Sequence, residues 1–155
     1  MTEEMTIEIK EFTKDRIEDV VQYEKALRVE EDFYGWEIDD AYIRAVRNTF
    51  EDNRFSNALS LLAYINGQVV GRIDTSLIAS RFDGTLNAYL DWICVIKSYR
   101  HVGVAQQLLQ EARRRLKQQG AEKLIALMAA NDEAQRFYRA VENAKIHDEG
   151  IWMEL

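Results

Sequence analysis

Apolar residues recur along the chain at two spacings, and each spacing predicts a different kind of element. Apolar and polar residues alternate over 6–12, which predicts a short strand with one buried face. From Ile17 the apolar residues return at three- and four-residue intervals, as on the buried face of a helix. A second helix is predicted to begin near Asp39 and Asp40. The chain is therefore predicted to start with one strand and two helices.

Strand patterns dominate the middle of the chain. The ranges 58–65 and 68–79 are rich in apolar residues and flank Asn66-Gly67, a dipeptide typical of a two-residue hairpin turn. A further strand is predicted over 86–96. Its later half is apolar at consecutive positions, which is typical of a strand that is buried on both faces.

A strand–helix–strand crossover is predicted next. The longest helical pattern begins at Val104 and ends before Gly120, since glycine commonly terminates a helix. The continuous apolar run over 123–129 predicts a buried strand, and Asn131 or Asp132 would cap another helix. Because the crossover is right-handed in nearly all proteins, the strands at its two ends are predicted to be parallel.

Taken together, the elements predict an α/β fold in the order β-α-α-β-β-β-α-β-α-β. The last of them is an edge strand predicted over 146–155, which contains Ile151-Trp152-Met153. The 155 residues include no proline and no low-complexity tract that would mark a linker. A single domain, 1–155, is therefore predicted.

Composition narrows the classes of function. The formal net charge of −7 argues against a nucleic-acid-binding protein and suits a cationic acceptor. One cysteine, Cys94, excludes an intrachain disulfide, and with only two histidines we predict no metal site. We see neither an apolar run of about 20 residues nor a signal sequence, so we expect a cytoplasmic protein that does not enter a membrane.

The segment that carries the chemistry is Arg100-His101-Val102-Gly103-Val104-Ala105, between a buried strand and the start of a helix. The first N–H groups of a helix have no partner within it and carry partial positive charge, so they form a site for phosphate. Gly103 lets the backbone approach a diphosphate closely, and Ala105 keeps the next turn slim. The segment lacks the Gly-Lys-Ser/Thr ending of a P-loop and two of the three glycines of a Rossmann fingerprint.

These residues resemble the signature of the GCN5-related N-acetyltransferases, Gln/Arg-x-x-Gly-x-Gly/Ala after a strand. Arg100 to Ala105 match the signature at every defined position. The strand over 89–95 precedes them, and Asn131 and the run 134–138 follow at the expected distance. The resemblance departs after Tyr138, where many members have a Gly-Phe pair that is absent here.

The resemblance implies an acyl-CoA N-acyltransferase-like fold. Its sheet is mixed, mostly antiparallel and splayed between two parallel strands, with helices on both faces. The resemblance also implies that acetyl-CoA (coenzyme A) binds with its pyrophosphate on the loop amides, and that Tyr138 protonates the departing thiolate. The amide of Val95 would polarise the thioester oxygen. The residues implied to bind the cofactor are Val95, Lys97, Arg100, His101, Val102, Gly103, Val104, Ala105, Gln106, Asn131 and Tyr138.

A base must remove a proton from the acceptor, because an amine with a pKa near 10 is almost fully protonated at neutral pH. Asp91 is the first candidate, four residues before Val95, where many relatives place a glutamate. Asp74 is the second. Because aspartate is short, we expect a relaying water. Either carboxylate has an alternative role as a hydrogen-bonded structural group.

The acidic and aromatic segment 30–40 is the candidate acceptor site, since relatives usually build that site between their first two helices. Its carboxylates and aromatic rings would suit a cationic amine, whereas the alternative is an ordinary solvated helix connection. The residues assigned to the acceptor are Glu31, Tyr34, Trp36 and Asp74.

The sequence therefore predicts an acetyl-CoA-dependent N-acetyltransferase that moves an acetyl group directly to a primary amine of a small molecule or peptide. Two alternatives stay open: a catalytically silent acyl-CoA-binding regulatory domain, and a scaffold that binds no cofactor. The resemblance further implies a homodimer formed through the last strands.

Overall fold

Five strands form one mixed sheet in the computed structural model, which describes residues 5–31 and 35–155. The strands are adjacent in chain order, and they are β1 (Glu8–Glu11), β2 (Ala58–Ile65), β3 (Gln68–Ala79), β4 (Leu86–Val95) and β5 (Leu124–Ala126). The first four pair antiparallel with their neighbours. β5 runs parallel to β4, to which it is joined by backbone hydrogen bonds at Leu86 and Ala88. The predicted α/β fold and its crossover are confirmed.

Four helices accompany the sheet in the described residues, and they are α1 (Ile17–Glu30), α2 (Asp40–Thr49), α3 (Val104–Gln118) and α4 (Asp132–Arg139). Two helices start where the sequence predicts, and each is capped by a side chain. The Asp39 carboxylate accepts from the Tyr42 amide at 2.9 Å, and the Asn131 side chain accepts from the Ala134 amide at 2.8 Å. No helix in the described part of the chain is long and apolar enough to span a bilayer.

The two faces of the sheet are covered by different helices. Leu62 and Tyr64 of β2 belong to one buried cluster with Val20 and Val21 of α1, and side chains of α2 pack against the same cluster. We call this side the α1 face. The other side, the α3 face, packs against α3.

α3 approaches the sheet closely because β3 carries a glycine beneath it. A Cβ on Gly71 would lie 3.0 Å from a Val104 methyl carbon and 3.2 Å from one of Leu108, so any side chain there would push the helix outward. This contact places the N-terminus of α3 beside the ends of β3 and β4, where the candidate site lies.

The hairpin at Asn66-Gly67 forms as predicted, with both residues at positive φ. The predicted last strand does not form. Residues 146–155 have no regular structure, and Ile151 and Trp152 are 80% and 84% exposed. Alternating apolar residues favour a strand only where a neighbouring strand supplies the ladder of hydrogen bonds.

The chain divides into two compact units, Met1–Ile125 and Ala126–Leu155. The first holds β1 to β4 and helices α1 to α3. The second holds α4 and the irregular residues that follow it. A single domain over 1–155 stays a prediction.

Candidate functional site

The donor loop, residues 96–103, leads from the end of β4 to the start of α3. It begins with a 3-10 turn at Lys97–Tyr99 and then passes through two residues in the left-handed region, His101 with φ +66° and Gly103 with φ +92°. Glycine adopts the second of these angles without strain, whereas His101 does not. The glycine at 103 thus fits the backbone conformation found there, whereas the residue type at 101 gives no sign of it.

α3 begins with an uncapped N-terminus. Its N-cap is Gly103, which has no side chain, and the first bond of the helix runs from the Gln107 amide to the Gly103 carbonyl at 3.1 Å. The amides of Val104, Ala105 and Gln106 therefore have no acceptor within the helix. Together with the helix dipole, they form an array of donors suited to an anion.

The surroundings of this array fit a bulky diphosphate. A Cβ built on Gly103 would meet no atom within 4 Å, so the space beside the backbone is open. His101, Val102 and Gln106 are exposed, whereas the Val104 side chain is buried. Val104 can therefore contribute only its backbone to a ligand.

Arg100, the first residue of the signature, is already engaged by the protein. Its Nε donates to the Val95 carbonyl at 3.0 Å, and its Nη2 forms an ion pair with Glu31. The two side chains are only 19% and 15% exposed. Burial alone would lower the pKa of Arg100, but Glu31 raises it, so the guanidinium is held in its charged form.

Val95 presents its backbone to the edge of β4 that faces away from β3. Its neighbour Ile96 donates to the Val70 carbonyl of β3 at 2.8 Å, and successive residues of a strand direct their backbone groups to opposite edges. The N–H of Val95 thus points towards the side of β4 on which β5 lies. Lys97 begins the 3-10 turn and is exposed.

Asp91 occupies a bulge in β4. Consecutive residues of β3, Asp74 and Thr75, pair with Trp92 and Leu90, so Asp91 is the extra residue on its strand. It is exposed, although nearby protein atoms partly desolvate its carboxyl. This desolvation and the negative charge of Asp74 raise the pKa of Asp91, and Arg72 opposes them.

Asp74, the second candidate base, is fully occupied by hydrogen bonds on the α1 face. Arg72 donates to its two oxygens at 2.8 and 2.9 Å, and the Ser60 hydroxyl donates to Oδ1 at 2.6 Å. Arg72 also donates to Glu24 at 3.1 Å. These bonds give Asp74 a structural role as the acceptor that joins Arg72 to Ser60.

The described part of the candidate acceptor segment is tied to α1 and to the donor loop. Trp36 is 54% exposed and stacks on the Arg28 guanidinium at 4.8 Å, while its carbonyl accepts from Arg28 Nε at 3.0 Å. Glu31 is taken up by Arg100. Tyr34, which the sequence also assigns to the acceptor, lies outside the described residues.

The second unit carries the two remaining predicted residues. Asn131 uses its side-chain oxygen to cap α4, which leaves the side-chain amide N–H groups as its ligand donors. Tyr138 lies on α4, half-buried, with its ring edge-to-face against Phe137 at 5.2 Å.

Metal chemistry finds no support in the described residues, where no three His, Cys, Asp or Glu side chains converge on a common point.

The geometry alone does not say to which protein family the chain belongs, and comparison with known families does. The model of the acetyltransferase (GNAT) family matches residues 10–141, well over half of the chain. The chain belongs to the GNAT acetyltransferase family. It is therefore an N-acetyltransferase, and acetyl-CoA is its acyl donor. No curated protein sequence matches the chain.

Solved structures of GNAT-type proteins share its fold. An aminoglycoside acetyltransferase from an uncultured soil metagenomic sample, in complex with sisomicin, has a TM-score of 0.80 at 14% identity, covering 96% of both chains. AAC(6')-Iy in complex with a bisubstrate analog has a TM-score of 0.75 at 19% identity, covering 97% of this chain and 99% of that one. A ribosomal-protein-alanine N-acetyltransferase from Brucella melitensis biovar Abortus 2308 has a TM-score of 0.73 at 13% identity, covering 96% and 99%. At these identities the likeness shows the fold.

Some residues of this GNAT site were missed by the sequence reasoning. Glu24 and Arg72 form the network that occupies Asp74, and Glu30 accepts from the Ser98 amide at 2.9 Å. Arg72 and Asp74 alternate on β3 and so must share one face, a signal that was available. The bulge at Asp91 had no local signal, because it depends on the register between two strands.

Proposed function

We propose that the protein transfers an acetyl group directly to a primary amine of a small cationic molecule, with Asp91 as the base. The observation that carries the proposal is the contrast between its two candidate carboxylates. Asp74 already accepts three hydrogen bonds, two from Arg72 and one from Ser60. Asp91 is exposed at a strand bulge, and among the described residues no donor is hydrogen-bonded to its carboxylate.

The roles of the chain follow from simple acid–base chemistry. Acetyl-CoA, when bound, supplies an activated acetyl thioester. The amides of 104–106 hold its pyrophosphate, and the Val95 amide donates to the carbonyl oxygen as negative charge develops there. Asp91 accepts a proton from the amine, through a water where its reach is short. Tyr138 is assigned, by its place in the family motif, to protonate the departing thiolate.

Two features support a small cationic acceptor. The net charge of −7 favours the approach of amines over that of acidic substrates. Trp36 offers an exposed ring in the segment after α1. Among the similar structures, several are named as aminoglycoside acetyltransferases and one as a ribosomal-protein-alanine N-acetyltransferase, so a small polyamine-like acceptor and a peptide N-terminus are the two classes to compare.

The acceptor class is tested with a panel of amines and detection of released thiol. The panel contains an aminoglycoside, a linear polyamine and a short peptide with an N-terminal alanine. Turnover with the first two and not with the peptide is expected. Turnover with the peptide alone would contradict the acceptor class. Binding of CoA with no turnover on any amine would favour the silent regulatory domain instead.

The base is tested with Asp91→Asn beside Asp148→Asn, which removes an exposed carboxylate of the second unit. Asp91→Asn is expected to lower kcat/KM by roughly 100-fold or more, while CoA affinity is kept. In the wild type, kcat/KM should fall as the pH drops through the raised pKa of Asp91, because the base must be deprotonated to act. Full activity of Asp91→Asn would remove Asp91 from the mechanism.

A further inference from the structure

We infer that Arg100 is a positioning residue of the donor site, and that Glu31 and Glu30 at the end of α1 hold the donor loop in the shape that binds CoA. The signature residue would then act through the backbone and would not contact phosphate. This inference uses only the donor half of the site. It does not depend on which amine is the acceptor.

The first step is the geometry of the guanidinium. Arg100 spends Nε on the Val95 carbonyl at 3.0 Å and Nη2 on the Glu31 carboxylate. The planar fork of arginine holds two partners at fixed angles, which an ammonium group does not. Arg100 thus ties the end of β4, where Val95 lies, to the C-cap of α1.

The second step is a parallel contact between the residue before Glu31 and the residue two positions before Arg100. Glu30, the last residue of α1, accepts from the Ser98 amide at 2.9 Å. The Ser98 hydroxyl and then this amide lower the pKa of Glu30. Two consecutive glutamates, at the end of α1 and at its C-cap, are therefore bonded to the turn at Lys97–Tyr99 and to the residue that follows it. The loop is held from α1 on one side and continues into α3 on the other.

The third step is electrostatic. CoA is a polyanion, and a carboxylate beside its site weakens binding by repulsion. Such a carboxylate favours binding only if it also holds the site in shape. Two glutamates at the donor loop are therefore unfavourable for the ligand by charge alone. The hydrogen bonds that they accept from Ser98 and Arg100 give them a different role, which is to hold the loop in place.

The two roles predict opposite signs for one substitution. If Arg100 contacted phosphate and Glu31 merely competed for it, Glu31→Gln would free the guanidinium and strengthen CoA binding. If Arg100 positions the loop, the same substitution loosens the anchor and weakens CoA binding.

The experiment is calorimetric titration of CoA, without any amine, into the wild type, Glu31→Gln, Arg100→Met and the double variant. Each single variant is expected to bind roughly ten-fold more weakly, the effect of one charge-assisted hydrogen bond. The double variant should bind no more weakly than either single one, because both remove the same link. Glu37→Gln is the matched control, since it removes an exposed carboxylate from the same segment. It should leave CoA affinity unchanged or slightly increased.

Tighter or unchanged binding by Glu31→Gln would overturn the inference, and so would additive losses in the double variant. Glu30→Gln provides a second test should Arg100→Met fail to fold, and a loss of CoA affinity is expected there too. Absence of CoA binding by the wild type would instead refute the donor site itself. The failures of this inference and of the proposed function are thereby distinguishable.

Discussion

Arg72 pairs with a glutamate of α1 and Arg100 with the glutamate at its C-cap, yet the surroundings of the two arginines differ. Arg72 lies on the α1 face of the sheet, where its side chain is 13% exposed and bonded to Asp74 and Glu24. Arg100 lies in the donor loop and shares its donors between Glu31 and the Val95 carbonyl. The first arginine joins side chains of two elements, whereas the second joins a side chain to the backbone at the end of β4.

The difference teaches where a charge serves stability and where it serves the site. Around Arg72 every described hydrogen bond joins groups of the protein, and the Tyr42 hydroxyl lies beside the guanidinium as well. Burial and the negative charge of Glu24 raise the pKa of Tyr42, so this hydroxyl stays protonated. Around Arg100 the neighbouring loop opens onto amides that have no acceptor in α3. Changes at Arg72 should therefore act on folding, and changes in the loop on ligand binding.

The largest effect is expected from Arg72→Met. It removes the only cation paired with Asp74 among the described residues and leaves the buried Glu24 carboxylate with Arg28 alone, which should cost about 3–5 kcal/mol of unfolding free energy. Arg54→Met is the matched control, because Arg54 makes the same forked contact with Asp52 two residues away but is 85% exposed. It should change stability little. Urea denaturation measures both.

Equal losses in the two arginine variants would show that burial does not decide the strength of these pairs. The folded fraction of Arg72→Met should bind CoA as the wild type does. A loss of CoA affinity in that fraction would contradict the separation between the two regions.

The next effect concerns the open side of the donor loop. Gly103→Ala places a Cβ in the open space where the pyrophosphate is expected, and CoA affinity should fall by roughly ten-fold or more. Gly84→Ala is the matched control: Gly84 has a similar positive φ and equally open space, but lies in the turn between β3 and β4. Each substitution should cost about 1 kcal/mol of stability through backbone strain.

Calorimetry with CoA and thermal denaturation separate the two contributions. Similar stability losses with a loss of affinity only in Gly103→Ala are expected. Equal CoA affinity in both variants would show that the pyrophosphate does not approach Gly103.

The sequence predicted the parts of the fold that depend on local patterns. The Asn66-Gly67 turn, the helix start near Asp39 and the start of α3 follow from short-range chemistry, and the structure confirms each. The prediction of a last strand over 146–155 was wrong. Its apolar pattern favours a strand only beside a neighbouring strand, which the local sequence does not reveal. Register and pairing are long-range properties.

The same division holds within the site. The uncapped helix N-terminus at Gly103 was predictable, since it depends on a glycine followed by a helical pattern. The position of Asp91 in a bulge and the capture of Asp74 by Arg72 were not, because both depend on how β3 meets β4. Arg100 was predicted to bind the cofactor, yet its side chain is held by Glu31, a residue 69 positions away in sequence. Contacts at that separation leave no local pattern.

The smallest effect is expected at a third kind of ion pair, on the outer surface of α3. Glu111 accepts from Arg114 and Arg115, and these hydrogen bonds lower its pKa from 4.5 to about 2. Because the folded pKa is depressed, the pair stabilises the protein above about pH 4.5, and the stabilisation is lost as the pH falls towards 2. Glu111 is partly exposed, so Glu111→Gln should cost only about 0.5 kcal/mol at pH 7. The denaturation curves of the wild type and Glu111→Gln should differ at pH 7 and converge as the pH falls to 2, and high salt at pH 7 should also remove most of the difference. A difference that persists at pH 2 would mean that Glu111 contributes by packing. The ranking of the buried network, the donor loop and the surface pair would then not follow their charges.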